Sequence, residues 1–151
     1  MPEVARFHLA VPVDDLEAAA HFYGEVLGCR RGRSDERWTD WDLFGHQLVT
    51  HLVGPAPATP SVGTRSSGAV STNPVDGDAV PVPHFGVILE VATFHELVAR
   101  LRRHGVGFAI EPRVRFAGDV GEQWTMFFFD PSGNAIECKA FADDAQVFDH
   151  R

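Results

Sequence analysis

Two stretches of the chain carry the same alternation of apolar and polar positions. In RFHLAVPV, Arg6 to Val13, His8, Ala10 and Pro12 fall on one face, with Phe7, Leu9, Val11 and Val13 on the other. In VPVPHFGVILEV, Val80 to Val91, the face of His84, Gly86, Ile88 and Glu90 opposes Phe85, Val87, Leu89 and Val91. Each predicts a strand with one apolar face and, on the other, a histidine followed two positions on by a small residue. A helix is predicted after each. In DDLEAAAHFYGEVLGC, Asp14 and Glu17 fit a capping pair, Leu16, Ala19, Ala20 and Tyr23 recur at helical spacing, and Gly28 supplies the stop. In TFHELVARLRRHGVGF, Thr93 and Glu96 fit the capping box, Phe94, Leu97, Val98 and Leu101 form the stripe, and Gly105 supplies the stop.

Three strands are predicted after each helix: Arg30–Asp35, Arg37–Leu43 and Gln47–Val53, then Phe108–Phe116, Gln123–Phe129 and Ala135–Phe141. The last turns also align, DLFGHQLVTHLV over DPSGNAIECKAF, with Asp42 over Asp130 and Gly45 over Gly133. The chain therefore says β-α-β-β-β twice, and such repetition decides the architecture before any site is argued. The expected fold is α+β, two repeated modules (1–53 and 83–151) forming a cleft of mixed curved sheet within one domain. Residues 54–82 between them are rich in Pro, Gly and Ser and predict a flexible linker, with disorder expected around Ser61–Ser71.

Composition narrows the function classes. A hydrophobic share of 44% with 12 Phe and 3 Trp supports a true core. A net charge of -8 argues against nucleic acid and against anionic membrane surfaces as partners. No apolar run approaches the roughly 18 residues of a membrane span. No signal peptide is visible, and the two cysteines, Cys29 and Cys138, are not in CxxC spacing, which predicts a reduced, cytoplasmic protein.

The repeat gives His8 and His84 equivalent places. Taken singly, either is a strand-end histidine satisfied locally. A third group, Glu137, shares a strand face with Ala135 and Lys139, and a carboxylate in such a run needs a partner if buried. A divalent metal is one such partner. Two histidines and one carboxylate are the donor set of non-haem iron oxygenases.

FHLAVPVDDLEAAAHFYGEVLGC, VPHFGVILEV and FFFDPSGNAIECKAF resemble the vicinal oxygen chelate superfamily, which includes glyoxalase I, bleomycin and fosfomycin resistance proteins and type I extradiol dioxygenases. The likeness spans nearly the whole chain outside the linker and is nearest to a small group of predicted extradiol-type dioxygenases. It implies metal ligands on the first and last strands of the modules: His8, His84 and Glu137. Likeness to glyoxalase I would call for a fourth ligand over Glu137, where Val49 stands. A three-ligand site fits dioxygenases and fosfomycin-type transferases better.

The resemblance thus implies a divalent ion, Fe2+ favoured and Mn2+, Ni2+ or Zn2+ also suited, a small-molecule substrate chelated through two neighbouring oxygens, ring cleavage as the most specific activity, and a homodimer. A lyase, isomerase or thiol transferase on the same metal, and a metal-free drug-binding protein, are the alternatives. Ring cleavage needs a base, and a histidine suits that task. His51, two residues beyond Val49 on the same face, is the candidate, with an extra metal ligand or a polar residue at the cleft edge as the alternative roles. Arg113 and Arg115 share a strand face and are candidates for a substrate carboxylate. Trp124, with Trp41 and Phe127, is a candidate for an aromatic lining. The only tyrosine, Tyr23, falls at a core position of the first helix.

Overall fold

In the computed structural model, residues 2–54 and 71–150 are described. They divide into two compact units. One holds residues 2–54 together with 130–134, the other 71–129 and 135–150.

The first unit is built on a four-stranded sheet of order β1-β4-β3-β2: β1 (His8–Val13), β2 (Arg30–Asp35), β3 (Trp38–Leu43) and β4 (His46–Leu52). β1 runs parallel to β4, and the other neighbours are antiparallel. Val11 and Val13 are buried while His8, Ala10 and Pro12 are exposed, the alternation the sequence predicts. Between β1 and β2, α1 (Leu16–Ala20) passes directly into a π-helical segment (His21–Val26), whose wide turns bury Phe22, Tyr23 and Val26. The capping differs from the expected pair. Asp15, not Asp14, is the N-cap and accepts from the Glu17 and Ala18 amides. Asp14 is engaged by Ser132, whose hydroxyl donates to it at 2.8 Å and accepts from its amide at 3.1 Å.

In the second unit β7 (Phe108–Arg115), β8 (Gln123–Phe129) and β9 (Ala135–Phe141) form an antiparallel sheet. The segment predicted as this module's first strand is less regular. Residues 85–89 lie parallel to β9 through isolated bridges, Phe85 to Ile136 and Ile88 to Lys139, and four backbone hydrogen bonds. Its neighbour order thus repeats that of the first sheet. α2 (Val91–Arg103) begins two residues before the predicted cap, so Thr93 sits inside the first turn and Glu90 precedes the helix without a side-chain cap. Its stripe, Phe94, Leu97, Val98 and Leu101, is buried as expected. Both predicted stops hold, with Gly28 and Gly105 at φ 77° and 71°.

One expectation needs correcting. Part of the stretch taken for a linker is ordered: β5 (Thr72–Val75) and β6 (Asp78–Pro81) pair as an antiparallel hairpin around Asp76–Gly77, both at positive φ. Val80 of this hairpin is buried with Ile110 and Phe127, Val75 packing beside them. That apolar anchor is why a Pro-rich sequence orders here. Residues 55–70, with most of the segment expected to be disordered, lie outside the described residues.

Candidate metal centre

The register of the second sheet decides which side chains share its site face. Phe127 pairs with Glu137 and with Ile110, and Thr125 pairs with Lys139 and with Arg113. These side chains stand together because paired residues project to one side. Glu137 is buried, 8% exposed, and its carboxylate is held at both oxygens. Thr125 Oγ1 donates to Oε1 at 2.7 Å, with Lys139 Nζ 3.6 Å from the same oxygen, and Oε2 lies 3.1 Å from His84 Nε2.

His84 is held from behind. Its Nδ1 lies 2.6 Å from the Pro81 carbonyl, which can only accept, so Nδ1 carries a proton and Nε2 is the nitrogen turned to Glu137. The edge of Phe127 packs on the ring at 5.1 Å. Gly86 allows the close approach behind this pair. A Cβ built there would overlap the backbone carbonyl of Glu137.

This pair suits a divalent ion. Two ligands at about 2.1 Å from an octahedral ion stand about 3.0 Å apart, close to the His84–Glu137 spacing. A histidine tethered through Nδ1 to a carbonyl and a carboxylate braced by a hydroxyl are the outer contacts that metal ligands usually have.

His8 belongs to the first unit and is tethered in the same way. Its exposed ring lies with Nδ1 2.8 Å from Gln47 Oε1, an acceptor oxygen, which leaves Nε2 to act as a donor atom. A groove of about 510 Å³ opens beside it, lined by Arg6, Arg30, Arg33, Asp40, Asp42 and His46 among others. Among the described residues, no three His, Cys, Asp or Glu side chains gather in a metal-holding group. Within the second unit the structure brings together His84 and Glu137, both predicted ligands.

The family profile of the Glyoxalase/Bleomycin resistance protein/Dioxygenase superfamily matches residues 6–138. The chain belongs to this superfamily. A crystal structure of a glyoxalase/bleomycin resistance protein/dioxygenase from Alicyclobacillus acidocaldarius is 33% identical, with a TM-score of 0.73 over 95% of this chain and 96% of that one. The fold is shared, at 19% identity, with a lactoylglutathione lyase from Agrobacterium tumefaciens (TM-score 0.62, 92% of this chain and 95% of that one). It is shared, at 15%, with the fosfomycin resistance protein FosX from Listeria monocytogenes (TM-score 0.60, 97% of this chain and all of that one). No curated protein matches the chain.

Two of the stretches that carry the family resemblance meet in a hydrogen-bonded network. Tyr23, from FYGEVLGC, donates to Asp130 Oδ2 at 2.8 Å, and Asp130, from DPSGNAIE, also accepts from the Ser132 and Asn134 amides and from the Asn134 side chain. Asn134 Nδ2 also donates to the Pro12 carbonyl. Burial, and then the Asp130 charge, raise the Tyr23 pKa well above its ordinary value. Tyr23 is thus a buried neutral donor to Asp130.

The remaining candidates divide. His51 pairs with Pro12 on β1, whereas His8 pairs with Gln47. Four residues of strand, about 13 Å, therefore separate His51 from the His8 position. Arg113 and Arg115 do share the Glu137 face, but both are paired with Asp78 of the hairpin. Trp124 does not line this face. It pairs with Val114 and Ala140 and stacks against Phe94 and His95 of α2, on the far side of the sheet. Its odd register relative to Glu137 puts it there. Thr125, the Pro81 carbonyl and Asp78 are contributors that the sequence reasoning missed. Thr125 was accessible from it, being directly across from Lys139.

Proposed function

We propose that this chain is a metal-dependent enzyme that holds a small substrate through two neighbouring oxygens, with His8, His84 and Glu137 as the protein ligands. The observation that carries the proposal is the convergence of His84 Nε2 and Glu137 Oε2, 3.1 Å apart and each braced from behind. Fe2+ is the favoured ion for this donor set, and Mn2+, Ni2+ or Zn2+ suit it too. When bound, such an ion supplies Lewis acidity and positions the substrate oxygens.

The chain's own residues account for the rest. Thr125 fixes the rotation of Glu137, and Pro81 fixes the tautomer of His84, so neither ligand needs to reorganise. Phe127 shields one side of the His84 ring from water. Val49, at the place matching Glu137, adds no fourth ligand, which leaves coordination positions for substrate. Extradiol-type cleavage of a catechol is the most specific form of the proposal, and a homodimer is part of it.

A second form, lyase, isomerase or thiol-transfer chemistry without O2, is favoured by two observations. Tyr23 is locked on Asp130, and His51 stands away from the His8 position. Oxygen consumption with a panel of catechols, run beside anaerobic incubations with α-oxoaldehyde–thiol adducts and epoxides, separates the two. Catechol-dependent O2 uptake with a yellow ring-cleaved product is expected for the first. Turnover only in the anaerobic arm would replace it with the second.

A further inference from the structure

Arg113 and Arg115 are long cations on the face that carries Glu137, Arg113 one row from it through Thr125 and Arg115 two rows from it through Gln123. The Arg115 side chain is only 9% exposed. Burying a guanidinium is costly unless its donors are satisfied. They are satisfied incompletely. Arg115 Nη2 and Arg113 Nη2 converge on a single oxygen, Asp78 Oδ2, and Asp76 stands 4.0 Å from Arg115 Nη1. Among the described residues, Arg113 Nε, Arg115 Nε and Gln123 Oε1 are buried with no hydrogen-bond partner. Gln123 pairs with Arg115 across the sheet. Two guanidiniums thus converge on one oxygen while the Nε donor of each stays unpaired.

The position of Asp78 explains how this arrangement is held. It lies just past the Asp76–Gly77 turn, at the start of β6, while Val80 and Pro81 further along are anchored in the core and on His84. Its side chain can therefore leave the arginines while the part of the hairpin that sets His84 stays in place.

We propose that Arg113 and Arg115 form a carboxylate-binding subsite for the substrate, and that Asp78 occupies it as an internal stand-in until a ligand carboxylate takes its place. Sheet spacings put the Cα atoms of Arg113 and Glu137 about 12 Å apart. That span matches the length of one substituted ring held at both ends. The substrate class is then a single-ring or similarly short acid whose chelating oxygens and carboxylate lie at opposite ends. This deepens the proposed chelating site by naming its substrate class, but the arginine subsite itself needs no metal.

The test uses benzoate as probe, because it has a carboxylate and no chelating oxygen pair. Its binding is followed by NMR titration in full-length protein, in the wild type, Asp78→Asn and Asp78→Asn/Arg113→Gln, each also carrying Glu137→Gln so that the metal site is out of play. Asp78→Asn keeps the shape of the side chain and so guards against simple unfolding. Removing the competing charge should tighten benzoate by about tenfold, and adding Arg113→Gln should reverse that gain. Benzyl alcohol, which lacks the charge, should show no gain. Equal benzoate affinity with and without Asp78, or a gain that survives Arg113→Gln, would overturn the subsite. That failure would leave metal uptake by the otherwise wild-type protein untouched, so it is distinguishable from failure of the chelating site.

Discussion

The opening segments of the two modules began as one pattern and ended as different objects. β1 is a regular strand with Ala10 two residues after its histidine, and His8 leans on a side-chain amide, Gln47. The second segment is an interrupted strand with Gly86 at the same offset, and His84 leans on a backbone carbonyl beside a buried, doubly held carboxylate. The first module has Val49 where the second has Glu137. The comparison teaches that a duplicated scaffold can concentrate a site's rigidity in one copy. In the second copy the strand is irregular where its backbone lies against Glu137, and in the first it is an ordinary strand with one exposed donor.

The harshest way to break the comparison is Gly86→Ala. A methyl group there would overlap the Glu137 carbonyl, so the backbone must move. A loss of more than about 3 kcal/mol is expected by chemical denaturation, beyond ordinary overpacking because the clash is with backbone. Next comes Thr125→Val, which strips a buried donor from Glu137. About 1.5–3 kcal/mol of stability should go, and metal affinity measured by competition with a chelator should fall about 10- to 100-fold. Gln47→Ala removes the corresponding brace from His8. Since that brace is exposed, its effect on metal affinity should be several times smaller. An equal effect would mean the two modules hold their ligands alike.

Tyr23→Phe probes the first module's own rigid point. It should cost about 1–2 kcal/mol near neutral pH and leave metal uptake unchanged. Its pH dependence follows from the raised pKa of Tyr23. The folded state favours the neutral phenol, so the stabilisation is fully present below the unfolded value of about 10 and is lost as pH rises towards the folded value. Denaturation at alkaline pH should therefore show a stability loss in the wild type that Tyr23→Phe lacks. The smallest effect belongs to Ala10→Gly, the mirror of the first substitution, at about 0.5–1 kcal/mol from backbone entropy alone.

Much of this was legible in the sequence because it depends on periodicity. β2, β8 and β9 have the predicted limits, and Glu137 faces the predicted way because alternation along a strand is strict. Local chemistry was harder to read. Asp14 and Asp15 are both able caps, and which one serves depends on Ser132, more than a hundred residues away. The hairpin at 72–81 was hidden by composition, although VDGD between β-prone residues is a hairpin signal. Missing it also hid Asp78 and the Pro81 carbonyl. Trp124 was assigned by chemical type where its register, one residue out of step with Thr125, already placed it on the other face.

The most direct test of the central claim is metal binding by anaerobically purified, untagged protein. Wild type should take up close to one Fe2+ per chain, and His84→Ala, Glu137→Gln and His8→Ala should each lose it. Wild type that takes up no Fe2+, Mn2+ or Zn2+, or variants that bind as wild type does, would contradict the claim and leave His84 and Glu137 as a structural contact.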